Sequence, residues 1–115
     1  MTSDEFVTYQ DELLVKVRAM GNTKGKEYAH SEDRFANFNR LAGQLDMDNL
    51  TIAWIYTAKH LDAITSYVKD KRTYSGESIE GRIVDALTYL TLIAGIIHER
   101  EQHELIEQIK RNQNK

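Results

Sequence analysis

The run from Ile83 to Ile97 carries a single charged side chain, Asp85, among aliphatic residues interrupted only by Thr88, Tyr89, Thr91 and Gly95. Read as a helix, the run is apolar nearly all round, and such a helix must be covered on most of its sides. A carboxylate inside it has to pair with a cation, bind a metal or take up a proton, because an isolated buried charge is too costly. A chain of 115 residues has few helices with which to cover the run, so a dimer or larger homo-oligomer is expected.

The rest of the chain reads as helix as well. It contains no proline, which suits long uninterrupted helices. Ser3 is a fitting N-cap, Asp4 and Glu5 follow in the first turn, and Phe6, Tyr9, Leu13, Val17 and Met20 form one stripe. Gly21 is the expected stop, and the polar stretch from Gly21 to His30 is expected to be a loop. Ser31 then caps a short helix with Phe35, Phe38, Ala42 and Leu45 on its stripe. A third helix opens at Asp48 or Asn49 and runs to about Lys69. Ile52, Ile55, Tyr56, Ala63 and Tyr67 form one apolar side of it, and Trp54, Leu61 and Val68 form another. After a charged connection, the fourth helix starts near Glu77 or Ser78 and passes Ile109, with a ridge of small side chains at Thr88, Thr91 and Gly95. The expectation is an all-α bundle of about four helices with a long C-terminal helix, oligomeric, forming one domain over 1–115 with a frayed tail at about 110–115. No segment alternates with the two-residue period of a strand.

Composition removes several classes of function. A net charge of -3 does not favour nucleic acid or anionic membranes. The absence of cysteine excludes disulfides, thiolate metal sites and cysteine nucleophiles. Asp4 and Glu5 interrupt any early apolar run, so no signal-peptide pattern opens the chain, and Ile83–Ile97 is too short to span a bilayer. A cytoplasmic protein is expected.

Four groups of residues carry candidate chemistry. Lys24 and Lys26 on the glycine-flanked stretch can meet phosphate oxygens as point charges, with Tyr28 to stack on a base; a solvated loop is the alternative, and no known phosphate-loop motif is present. Asp33 and Asn37 share a helix face beside Phe38, either as the edge of a ligand site or as an exposed face with local ion pairs. Lys59 falls on the apolar stripe of the third helix with Asp62 beside it, so it is expected to neutralise either Asp85 or a ligand phosphate, while His60 next to it reads as a packed, hydrogen-bonded residue. Glu77 and Glu80 lie on adjacent turns at the start of the fourth helix, where with Asp85 they could hold a hard cation such as magnesium; the alternative is a capped helix with an Arg82–Asp85 pair. The segment His98 to Glu104 is polar and lacks metalloprotease spacing, so it reads as a solvated face.

Lys24-Gly25-Lys26-Glu27-Tyr28-Ala29, Asp33 with Asn37-Phe38, Lys59-His60-Leu61-Asp62, and Glu77-Ser78 followed by Gly81-Arg82-Ile83 and Asp85-Ala86-Leu87-Thr88-Tyr89-Leu90 together resemble small bacteriophage proteins of the nucleotide modification associated domain type. These are distantly similar to the all-α nucleoside triphosphate pyrophosphohydrolases. The resemblance covers about Lys24 to Ile97 and implies a helical, oligomeric phage protein that acts on or binds nucleotides in the cytoplasm of an infected cell. Lys24, Lys26, Tyr28, Asn37, Phe38, Lys59, Asp62 and Arg82 would face the nucleotide. Glu77, Glu80 and Asp85 are the positions that match the second acidic, magnesium-holding motif. The first such motif has no clear match, and Lys59 and Asp62 stand in its place. Three expectations follow: metal-assisted hydrolysis of a phosphoanhydride, a non-catalytic anti-defence protein that sequesters a nucleotide signal, or a helical protein that binds a host protein.

Overall fold

A computed structural model describes residues 1–28 and 33–114, and for 23–28 it describes the backbone. Four helices follow in order: α1 (Ser3–Tyr28), α2 (Ala36–Leu45), α3 (Asn49–Asp70) and α4 (Ile79–Gln113). No strand occurs among the described residues.

The starts of the two longest-range elements follow capping chemistry. Asp48 lies in extended backbone at the head of α3 and its carboxylate accepts the Leu50 amide at 2.7 Å. Ser78 does the same for α4, where its hydroxyl accepts the Gly81 amide at 3.0 Å. α2 and α3 both end in a left-handed residue, Asp46 (φ 53°) and Lys71 (φ 61°), whose amides close the last turn.

Two differences from the sequence-based reading have physical causes. α1 does not stop at Gly21 but continues to Tyr28. Gly21 keeps a helical conformation and faces Arg34 and Thr88, where a Cβ would make ordinary contacts at 3.4 Å and 3.8 Å. Arg34 donates to the Gly21 carbonyl. α2 begins at Ala36, with Phe35 as its N-cap residue and no side-chain cap, and Leu45 of the expected stripe is exposed. The expected Ser31 cap lies outside the described residues.

α4 is the organising helix. α3 runs antiparallel to it, since His60 faces Asp85 at one end and Arg100 reaches Asp48 and Asn49 at the other. α1 runs parallel to it, since Tyr9 and Lys16 reach Glu80 while Gly21 lies against Thr88. The core joins Phe38, Ile52, Ala53 and Ile96, surrounded by Phe35, Leu41, Tyr56, Tyr89, Leu92 and Ile93. The small-residue ridge is occupied from within the chain: Thr88 meets α1, and Gly95 takes the Phe35 ring so closely that a Cβ would sit 3.0 Å from it. By length and composition α4 could cross a membrane. α1 and α3 both pack on it.

Two polar staples lock the frame. Lys16 donates to Glu80 at 2.6 Å and Tyr9 donates to the same carboxylate at 3.0 Å, which holds the Glu80 carboxyl below its ordinary value of 4.5. Arg100 donates to Asp48 and, helped by the Leu50 amide, holds that carboxyl below 3.8. Both groups favour the folded state through their ionised forms. Their contribution is therefore complete above the ordinary carboxylate range and is withdrawn as pH falls through the lowered native values. The difference in Tm between the wild type and a Lys16→Ala/Arg100→Ala variant should be largest near neutrality and shrink once pH drops below about 4. A difference that persists unchanged to pH 2 would show that these side chains stabilise by packing and not by charge.

Candidate nucleotide-binding site

One face of α4, opposite α3, carries Arg82, Asp85 and Tyr89 in successive turns. This is a consequence of the three- and four-residue spacing. The facing side of α3 supplies Tyr56, His60, Ala63 and Ser66. The result is a strip whose chemistry changes along its length.

At one end are rings. Tyr56 and Tyr89 stack, with centroids 5.9 Å apart and planes 10° from parallel, and Phe38 packs on both at 6.0 and 6.3 Å. His60 continues the stack, 5.1 Å from the Tyr89 ring. In the middle, His60 Nδ1 lies 3.9 Å from Asp85 Oδ2, with 13% and 14% of the two side chains exposed. They carry opposite charges only when the imidazole is protonated. At the other end a cleft of about 160 Å³ is lined by Ala63, Ser66, Arg72, Tyr74, Ser75 and Arg82. The Arg72 guanidinium rests 4.7 Å over the Tyr74 ring, and Arg82 donates to Ser75 Oγ at 2.9 Å and pairs with Glu77 at 3.1 Å. Arg82 and Tyr89 are two turns apart, about 10 Å along the helix. That span suits a ligand with a flat group at one end and an anionic group at the other.

The expected site residues divide. Phe38, Arg82 and Asp85 share this strip. Asp85 is largely buried, as its surroundings in sequence require, but the group across from it is His60 and not Lys59. Lys59 and Asp62 are exposed on the side of α3 that carries the exposed Ile55. Asn37 accepts from Arg40 at 2.7 Å, and the Asp33 carboxylate takes part in a polar chain through Asn39 to Asn49. Lys24, Lys26 and Tyr28 lie on the last turns of α1, with side chains outside the described residues. The three carboxylates expected to hold magnesium do not form one ligand set: Glu77 is engaged by Arg82, Glu80 by Lys16 and Tyr9, and Asp85 faces His60. Among the described residues no group of three histidine, aspartate or glutamate side chains is placed to hold a metal ion. The Arg82–Asp85 pair is replaced by Arg82–Glu77. The residues that the sequence did not single out are Tyr56, Tyr89 and Arg72. Only the three-residue step from Tyr56 to Lys59, weighed against the four-residue step to His60, held the signal.

Comparison with known proteins finds no matching family model, no similar curated protein and no similar solved structure.

Proposed function

We propose that the chain binds a nucleotide or a nucleotide-derived small molecule along the α3–α4 strip, without a built-in metal centre. The observation that carries this reading is the order of groups on one helix face: stacked rings, then the largely buried His60–Asp85 pair, then a cleft bearing two guanidiniums. The stacked rings pack face to face with one another, so a base would meet the edge of an aromatic cluster. A carboxylate beside an imidazole can accept from a base or ribose hydroxyl, and guanidiniums match phosphate oxygens with paired donors. The resemblance to phage proteins that handle nucleotides supports the same reading. Glu77 and Glu80 are each tied to a cation, which favours binding over hydrolysis.

The test is a panel of mono-, di-, tri- and cyclic nucleotides, with and without magnesium, read by thermal shift and then by chromatography of the recovered ligand. Ligand at 100 times its Kd raises stability by about 2.7 kcal/mol, a shift that melting resolves readily. Recovery of intact ligand is expected. Turnover that needs magnesium would replace this reading with the hydrolytic one, and no shift with any member of the panel would remove both.

A further inference from the structure

Several apolar surfaces remain open after the four helices have packed, among them Trp54, Ile55 and Val68 on α3, and three others can be covered together. The first is a seam on α4 on the side away from α3, formed by Ile83, Leu87, Leu90, Ala94 and Ile97 at alternating four- and three-residue steps. Ile83 and Leu87 are half-buried, Ala94 is exposed, and Leu90 and Ile97 are 41% and 40% exposed. The second is the C-terminal half of α4, where every described side chain from Ile97 onward is exposed, including Leu105, Ile106 and Ile109. The third is the N-terminal half of α1, where Phe6 and Tyr9 continue the stripe that Leu13 and Val17 bury, but past the point where α4 begins. Lone half-helices of this length are marginal in water unless something packs on them.

We infer that a second copy of this chain covers all three surfaces, by pairing α4 with its own copy antiparallel about a two-fold axis at Leu90. The seam is self-complementary in that register. Leu90 meets Leu90, Ile83 meets Ile97, and Leu87 meets Ala94, so large side chains flank small ones without overlap. The two α4 helices then overlap from 79 to 101, about 34 Å. The same operation carries the rest of the second copy's α4 past the start of the first, alongside the projecting arm of α1. There Leu105 and Ile109 of the second copy come level with Tyr9 and Phe6. The ends match in charge as well: Asp4 and Glu5 open α1, while Lys110 and Arg111 close α4. One symmetry element thus accounts for a seam and two half-helices that have no other reason to be apolar. A foreign partner would need three separate complementary faces.

The full chain should sediment as a dimer at micromolar concentration. Leu90→Glu places two like charges face to face at the axis and should raise the dissociation constant on the order of 100-fold or more. Leu90 is exposed in the single chain, so helix content by circular dichroism should stay near wild type; if it collapses instead, the cysteine variants decide. The chain has no native cysteine. Leu90→Cys should therefore cross-link cleanly to its own copy on mild oxidation, and the Ile83→Cys/Ile97→Cys variant should form two bridges per dimer, whereas Ile83→Cys alone should form none. A monomeric wild type overturns the inference. So does a dimer in which Leu90→Cys stays reduced while Ile83→Cys alone cross-links, since that would mean a parallel or displaced pairing.

Discussion

Ile96→Ala should lower stability by about 3–4 kcal/mol and Tm by roughly 10–15 °C, with little change in the shape of the unfolding transition. Ile96 is 1% exposed and joins the core formed by Phe38, Ile52 and Ala53, with Tyr56, Tyr89 and Leu92 packed around them. Truncation removes the transfer free energy of three carbons and leaves a void. The void has little room to collapse, because the rings of Phe38, Tyr56 and Tyr89 brace one another on the same side. The control is Val68→Ala on α3, where the side chain is 59% exposed and the change should stay within about 0.5 kcal/mol. Chemical denaturation of both variants checks the pair. An Ile96→Ala variant that falls within 1 kcal/mol of the wild type would mean that the α2–α3–α4 junction is not where this bundle derives its stability.

The periodic part of this architecture was legible from residues alone. The stripes on α3 and α4, the caps at Asp48 and Ser78, and the long last helix all follow from local chemistry that the fold keeps. What misled was ambiguity in single residues. A glycine after an amphipathic stripe reads as a stop, yet α1 runs through Gly21, whose carbonyl accepts from Arg34. Two apolar sides on α3 read as a helix buried between neighbours or one that also forms a subunit contact, and Trp54, Ile55 and Val68 face outward in the single chain, since periodicity identifies a face without saying which neighbour covers it. Lys59 and His60 differ by 100° around α3, and that single step decides which of them meets Asp85. Arg72 and Tyr74 could not be found at all from spacing, because the connection that bears them acquires its place only once α3 and α4 pack against each other.

Asp85→Asn should weaken ligand binding at least tenfold, about 1.4 kcal/mol, while leaving Tm within a few degrees of the wild type. Asparagine keeps the shape and one acceptor oxygen but loses the charge. If Asp85 served only to hold the fold, removing its charge from a buried pair would cost about 3–5 kcal/mol, and binding by the surviving folded protein would be unchanged. The geometry favours the first outcome. At 14% exposure the carboxylate is largely buried but not sealed from the strip. The carboxylate lies between the stacked rings and the guanidinium-lined cleft, so a ligand spanning the strip would lie against it. Melting curves and binding isotherms on the same Asp85→Asn sample separate the cases, and His60→Gln provides the companion measurement from the other side of the pair. A variant that melts more than 10 °C low yet binds its nucleotide with wild-type affinity would make Asp85 a structural residue and leave the strip with only its rings and arginines.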